Sequence, residues 1–389
     1  MREVVVLGVG MHRFGKFPET SLRELAGEAG RGALRDAGVS PRDIQAAYFA
    51  NALAGLLTGQ ESIRGQVALR EVGVAGVPIV NVENACASGA TAFHQAVLAV
   101  GSGSCDIALA VGAEKMFVGD TGRTIQALAA SADVELTQDM GLQFTAIYAM
   151  RIQRRLKSGA LTLRHLAAVT VKSHRHGRLN PYAQHQKEVT AEEVLASRPI
   201  AGPITLLMCS SISDGAAAAV VCSADVARRR EAAAPPIRIL ASELRSGAFR
   251  SGAEEELSTA ARTVRAAYEQ AGVGPEDISL VECHDATAPG ELLYYEDLGF
   301  CKPGEAGRLL DEGATAIGGR IPFNPSGGLT SRGHPVGATG LAQIAEAVWQ
   351  LRGQAGPRQV TSARMALAQN SGGWLEGDSA VGAAHIFAV

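Results

Sequence analysis

The sequence predicts an α/β protein made from two copies of one unit. Short apolar runs alternate with helical patterns, and two separate motifs recur in the same order in the second half. The first motif reads Cys86-Ala-Ser-Gly89-Ala90-Thr91-Ala-Phe-His-Gln95 and returns as His334-Pro-Val-Gly337-Ala338-Thr339-Gly-Leu-Ala-Gln343, 248 positions later. The second, Ala37-Gly38-Val39-Ser-Pro41-Arg-Asp43-Ile44, returns 234 positions later as Ala271-Gly272-Val273-Gly-Pro275-Glu-Asp277-Ile278. Each copy of this second motif ends a helix at Gly, turns at Pro and opens a strand.

In chain order, the pattern predicts a strand over 4–9, a helix over 22–36, and strands over 46–51 and 79–82. A helix over 89–100 and a strand over 107–112 follow. Residues 210–215 read as a turn and 216–222 as the strand that closes the first half. Pro235-Pro236 punctuates the boundary before a strand over 237–241, and a further strand is expected over 279–284. Residues 115–203 are more polar and read as an insertion, placed to act as a lid or ligand-binding wall. The expected division is 1–114 plus 204–234, an inserted domain over 115–203, and a second half over 235–389.

The 389 residues give ample core, and 47% hydrophobic against 19% charged residues fits a soluble globular protein. A formal charge of -3 gives no reason to expect nucleic acid as a partner. No stretch has the length and apolarity of a membrane span, and the N-terminus enters a strand without a signal-peptide pattern, so a cytoplasmic location is expected. The six cysteines form no C-x-x-C pair, which points to reduced thiols and to no metal site.

Cys86 opens a helix of small residues, where the positive end of the helix dipole is expected to lower the thiol pKa and its N–H could serve an oxyanion hole. The competing reading is a buried structural thiol. His334, set among glycines, is placed either to take the proton of Cys86 or polarise a thioester oxygen, or simply to cap its helix. His284 ends a predicted strand beside Asp285, as a site residue or a hydrogen-bonded structural one, while alternation sends Cys283 into the core. Gly372 and Gly373 are candidates for a second set of oxyanion N–H donors, or a plain turn. In the basic run, His174, Arg175 and Arg178 could contact phosphates of a nucleotide-bearing substrate, or form solvated surface. The Gly8-Val-Gly10 stretch lacks the spacing and the acidic partner of a dinucleotide site.

Five segments together resemble the thiolase superfamily, in particular sterol-carrier-protein-associated thiolases and bacterial lipid-transfer-like relatives. They are Gly8-Val-Gly10-Met-His-Arg-Phe-Gly-Lys16, Glu83-Asn84-Ala-Cys86-Ala-Ser88-Gly89, Ser213-Asp214-Gly215, His284-Asp285-Ala286, and Gly333-His334-Pro335-Val-Gly337-Ala-Thr-Gly340. The resemblance implies a duplicated, five-layered αβαβα fold with an inserted loop domain, commonly homodimeric. It gives Cys86 the acyl-accepting position, His334 the activating one and His284 the oxyanion one. One position departs: Ala286 stands where the family pattern has a cysteine that moves the α-proton, and Asn370-Ser-Gly372-Gly373 stands near a missing Cys-x-Gly motif. The remaining Cys-His-His set resembles that of decarboxylating condensing enzymes.

The resulting expectation is an acyltransferase of lipid metabolism that forms an acyl-enzyme on Cys86 and passes the group to a carbon nucleophile or thiol. Its substrate would be an acyl-CoA or acyl-carrier thioester, with no permanently bound cofactor. Two alternatives stand beside it: a retro-aldolase on side-chain acyl-CoA, motivated by Ala286 and the pair Tyr294-Tyr295, and a non-catalytic thioester-binding subunit. The resemblance also implies a small zinc-ribbon/OB-fold partner protein.

Overall fold

The protein is described here by a computed structural model covering residues 2–137, 141, 143–230, 234–249 and 257–389. Strand β1 (Val4–Gly15) continues well past the predicted 4–9. Helix α1 (Leu22–Ala37) starts on a capping box between Ser21 and Glu24 and stops at Gly38, whose φ of 63° favours glycine. Its apolar stripe, Leu25, Ala29, Ala33 and Ala37, lies on β1. A Cβ on Gly8 or Gly10 would come within 2.3 Å of α1 backbone, so these glycines let the helix seat on the strand.

Strand β2 (Ala46–Ala50) is followed by short helices α2 (Ala54–Thr58) and α3 (Arg64–Ala68), then β3 (Ile79–Val82), α4 (Ser88–Gly101) and β4 (Ile107–Glu114). The next segment holds α5 (Thr121–Ala129), α6 (Val134–Thr137), α7 (Phe144–Lys157), α8 (Leu163–Arg178), α9 (Ala191–Ala196) and a ribbon of β5 (Pro199–Ala201) and β6 (Ile204–Thr205). Strand β7 (Asp214–Ser223) and α10 (Ala224–Arg228) close the first half, and residues 231–233, just before the expected Pro235-Pro236 boundary, lie outside the described residues.

The second half runs β8 (Ile237–Ser246), α11 (Thr259–Ala271), β9 (Leu280–Glu282), α12 (Ala288–Asp297), α13 (Ala306–Asp311), α14 (Gly328–Arg332), α15 (Val336–Leu351), β10 (Met365–Gly372) and β11 (Val381–Ala388). Helix α11 ends at Gly272 with φ 68°, matching Gly38 of α1.

The strands lie in the order β3-β2-β4-β7-β1 and then β8-β11-β10-β9. In the second half Phe323 bridges in parallel to Val281 beside β9, the position that β3 holds beside β2. The two sheets thus repeat one topology in opposite directions and meet where Val5 and Val6 pair with Arg238 and Ile237. Within each unit the last strand is antiparallel to its neighbours, β7 against β4 and β1, β11 against β10 and β8.

Helices α4 and α15 form the middle layer. Phe93, Ala96 and Val97 of α4 and Leu341, Ile344 and Val348 of α15 share one core with residues from both sheets. Their approach is close enough that a Cβ on Gly340 would sit 2.4 Å from the Ala90 nitrogen, and one on Gly89 2.8 Å from the Gly337 oxygen. Helix α1 covers the outer face of the first sheet and α11 that of the second, which completes the five layers. The insertion rests on the second half: Tyr148, Ile152, Leu166 and Val169 are buried with Leu292, Tyr294 and Leu298 of α12. Among the described residues, no helix is long and apolar enough to cross a membrane.

Candidate active site

Cys86 lies in the single turn Ala85–Ala87 that links β3 to α4, two residues before the helix rather than inside it. The turn is tightly held. The Ala85 N–H donates to the Glu83 carboxylate at 2.6 Å, the Ser88 hydroxyl donates to the Ala85 oxygen at 2.6 Å and accepts the Asn84 N–H at 2.9 Å. Ala85 has a left-handed φ of 48°, a strained conformation for a residue with a side chain, and it sits directly before the thiol.

His334 precedes α15, whose N-cap is Pro335. Its N–H donates to Ser213 Oγ at 3.0 Å, and the Ser213 hydroxyl donates to Gln184 at 2.6 Å, which ties the histidine backbone to the first half. The imidazole does not cap the helix backbone; its Nδ1 bonds Thr339 Oγ1 at 2.7 Å. His284 lies two residues beyond the end of β9, so the predicted strand 279–284 is too long; its backbone N–H instead donates to Gln369 Oε1 at 3.2 Å.

These elements bring the Cys86 sulfur and one ring nitrogen from each of His284 and His334 within 4.8 Å of one another. The two Nε2 atoms are 3.4 Å apart and the ring centroids 5.1 Å, at an interplanar angle of 65°. A thiol and two imidazoles at this spacing are also a donor set that a soft divalent cation could use.

The hydrogen bonds assign the tautomers. Thr339 gives its own hydroxyl proton to the Pro335 oxygen at 3.0 Å, so it accepts from His334 Nδ1–H, and His334 Nε2 carries a lone pair toward the thiol. Among the described residues the buried His284 Nδ1 has no partner, and a bare lone pair there costs less than an orphaned N–H, which puts the His284 proton on Nε2.

Burial sets the protonation states. It pushes the Cys86 thiol up to about 12, with the nearby Glu114 and Glu83 carboxylates adding to the effect. This overturns the expected lowering by the helix dipole, because desolvation and two acidic neighbours outweigh it. Burial holds His284 down to about 3, and holds His334 well below its ordinary value with His284 and Arg332 contributing. The resting centre is therefore a neutral thiol beside two neutral imidazoles.

Glu114, at the end of β4, holds the two halves in register. Its oxygens accept from the N–H groups of Ala52 and Leu53, the Asn51 amide and the Gly337 N–H in the first turn of α15, all at 2.8 to 3.1 Å. Arg332, just before His334, is fully buried and paired with Glu282 at 3.0 Å. Leu53, Leu57, Met116, Ala127 and Val336 form an apolar cluster against which Cys86 packs.

Of the other expected site residues, the two glycines lie at the cysteine turn. Gly372 presses against the cysteine turn, since its Cβ would be 2.2 Å from the Asn84 oxygen, and Gly373, at φ 62°, lies near Ala85. In the basic run, His174 is buried with Nδ1 on the Lys187 oxygen, Arg175 is exposed, and Arg178 is exposed and paired with Glu188. The tyrosine pair divides: Tyr294 hydrogen-bonds Ser371 at 3.1 Å, whereas Tyr295 belongs to a separate buried cluster with Glu291, Lys172 and Thr315. Sequence reasoning missed the supporting roles of Ser213, Thr339 and Glu114, and also Tyr148 of α7, whose ring lies 3.2 Å from where a Cβ on Gly290 of α12 would sit. Thr339 carried a signal as part of the repeated Gly-Ala-Thr, and Ser213 as part of the Ser213-Asp214-Gly215 segment of the resemblance.

Two family profiles match: "Thiolase, N-terminal domain" over residues 4–225 and "Thiolase C-terminal domain-like" over 246–381. An acetyl-CoA acetyltransferase of Methanothermobacter thermautotrophicus is 43% identical across all of both chains. The benzoylsuccinyl-CoA thiolase subunit BbsB of Thauera aromatica is 39% identical over 96% of this chain and 95% of its own. Human sterol carrier protein 2 is 36% identical over 96% of this chain and 70% of its own. Among solved structures, an Ltp2-ChsH2(DUF35) aldolase chain superposes with TM-score 0.80 at 26% identity, covering 98% of this chain and 97% of that one. Human mitochondrial 3-ketoacyl-CoA thiolase superposes at TM-score 0.76 and 18% identity, over 100% and 98%. With both profiles matched and these identities spanning nearly its whole length, the chain belongs to the thiolase family.

Proposed function

We propose that the protein is an acyl-CoA-dependent acyltransferase that works through an acyl-enzyme on Cys86. One observation carries this reading: the thiol and two imidazole nitrogens, contributed by different halves, gather within 4.8 Å. His334 Nε2 takes the thiol proton as the sulfur attacks the thioester carbonyl, and His284 Nε2–H donates to the developing oxyanion. The carbon–sulfur bond to CoA then breaks, and the CoA thiolate recovers its proton from His334. The acyl group on Cys86 passes in turn to a thiol or a carbon nucleophile. The apolar cluster beside Cys86 suits an acyl chain, and relatives named acetyl-CoA acetyltransferase and thiolase support CoA thioesters as substrates. Each step uses the chain's own groups, with the CoA thioester as substrate. Intact-mass measurement after incubation with acetyl-CoA and longer acyl-CoAs tests the reading. A single acyl increment on the wild type, absent from Cys86→Ala, is expected; equal labelling of the variant would remove Cys86 as nucleophile.

A second reading, cleavage of a β-hydroxyacyl-CoA by a retro-aldol step, is favoured by the likeness to the Ltp2 aldolase chain. Full turnover of such a substrate by Cys86→Ala would select it. The same neighbour supports a DUF35-type partner, which co-purification tests. The homodimer is proposed through β3, an edge strand whose Val80 is exposed.

A further inference from the structure

Three side chains that can each give a lone pair to a metal ion converge at one point. The Cys86 sulfur and one ring nitrogen from each of His284 and His334 lie within 4.8 Å of one another, and the two Nε2 atoms are 3.4 Å apart. A tetrahedral zinc ion that holds two nitrogens at about 2.0–2.1 Å sets them about 3.3 Å from each other. The imidazoles therefore already stand at the spacing of two ligands on one ion. With sulfur at about 2.3 Å, the same tetrahedron asks for about 3.6 Å between sulfur and nitrogen, which the thiol reaches by a shift of roughly 1 Å at most. The histidines are 50 positions apart and Cys86 lies 248 positions before His334, so no short ligand motif announces the set. Among the described residues it is the only group of three His, Cys, Asp or Glu side chains close enough to hold an ion.

The surroundings support an ion on one side and weaken it on the other. His334 Nδ1–H donates to Thr339 Oγ1 at 2.7 Å, the kind of outer hydrogen bond that orients a metal-bound imidazole and leaves its Nε2 free to ligate. Glu83 accepts the Ala85 N–H next to the cysteine, and Glu114 accepts the Gly337 N–H just beyond His334, so two carboxyl groups flank the charge an ion would bring. The buried Arg332 opposes them, but Glu282 pairs with it at 3.0 Å. His284 has to give its Nε2 to the ion and carry its proton on Nδ1 instead, where no acceptor is found among the described residues. The missing outer bond weakens binding about 10–100-fold relative to a fully supported site, which makes the ion exchangeable rather than structural. Cys86 is partly exposed, which leaves the ion a way in.

We propose that Cys86, His284 and His334 form a reversible binding site for a zinc-like divalent cation, and that the bound ion switches the thiol off. On binding, the Cys86 S–H bond breaks and its proton leaves to solvent, while the His284 proton moves from Nε2 to Nδ1. The sulfur and both Nε2 lone pairs go to the metal, water fills the fourth position, and no electron is transferred. The site stands on this geometry alone; its effect on acylation rests on the acyl-enzyme reading above. In that reading the ion takes the nucleophile, its base and the oxyanion donor together, so acyl transfer stops until the ion is removed. A hard cation such as Mg²⁺ prefers oxygen ligands and gains nothing from a thiol and two imidazoles.

Cobalt(II) reports such a site by its absorption. Chelator-treated wild type titrated with Co²⁺ should show the visible bands of a tetrahedral ion and a near-ultraviolet thiolate-to-cobalt band, saturating at one ion per chain. Cys86→Ala, checked for folding by circular dichroism, should lose the thiolate band. Cys209 and Cys301 are also partly exposed, so a band that persists in this variant places the ion elsewhere and overturns the proposal. Excess Zn²⁺ should slow iodoacetamide alkylation of Cys86, read on its peptide by mass, by about tenfold or more, with recovery on adding EDTA and no effect of Mg²⁺. Alkylation that Zn²⁺ leaves unslowed also overturns it. Acylation of the metal-free protein separates the two readings. A wild type that is acylated but never binds Co²⁺ removes the cation site alone, whereas one that shows the thiolate band but is never acylated removes the acyl-enzyme reading and leaves the site standing.

Discussion

Cys86 is a thiol that its surroundings keep protonated. With burial pushing it up to about 12 and both imidazoles neutral, the thiolate fraction at pH 7 is small and grows about tenfold per pH unit as pH rises. Alkylation of Cys86 by iodoacetamide should therefore climb with a slope near one in log rate from pH 7 to 10 and show no step near 6.5. An inflection there would reveal a resting imidazolium–thiolate pair instead. In the proposed acyl transfer the proton leaves the sulfur only as the sulfur attacks a carbonyl carbon, which would spare the thiol from stray electrophiles. At this scale the residue types were legible: Cys86 and His334 stand out because they share one place in a repeated motif, and His284 because it is polar beside a short apolar run. Their protonation was not legible, since it depends on how deeply the layers bury them and on Glu114, which is 28 positions away in sequence. Tyr148 was invisible for a related reason, because nothing in an insertion helix announces that its ring fills a gap left by Gly290.

The element that positions the chemistry is the pair α4 and α15, joined along glycines. At Gly340 an added methyl would meet the Ala90 backbone nitrogen at 2.4 Å, where no flexible side chain can yield. Gly340→Ala should cost about 1–3 kcal/mol of stability by overpacking, read from urea midpoints, and should slow Cys86 acylation by moving His334 off the thiol. Unchanged acylation would show that the site tolerates a shift between the halves. The alternation of apolar runs and helical patterns placed these elements within a few residues, and the Gly-Ala-Thr repeat marked the contact itself. Strand lengths were less legible. Strand β1 runs on to Gly15 because β7 pairs with it as far as Asp214, and β8 runs on to Ser246 because β11 pairs with it as far as Val381. Strand β9 stops early because Cys283 and His284 bond to Asn324 and Gln369 side chains instead of a neighbouring strand.

Over the whole molecule, burial has a consequence for acid stability. Seven imidazoles, His94, His174, His176, His185, His284, His334 and His385, are depressed below their ordinary value, chiefly by desolvation. The unfolded chain takes up protons below about pH 6.5 that the folded one refuses, so their contribution is complete above 6.5 and is lost as pH falls. Glu114, Glu282, Asp285 and Asp297 are raised and act in the opposite sense, losing their contribution as pH climbs toward 7. The more numerous imidazoles outweigh them, and the urea midpoint at pH 5 should lie below that at pH 7.5; a higher midpoint at pH 5 would show the carboxyls in control. Duplication itself, legible from two motif repeats, has the widest consequence. Two identical half-length chains joined as a dimer would carry the same side chain at both central helix starts, a pair of thiols or a pair of imidazoles. Fusion into one chain frees each copy to drift alone, and only such broken symmetry lets an acid face its base across the seam.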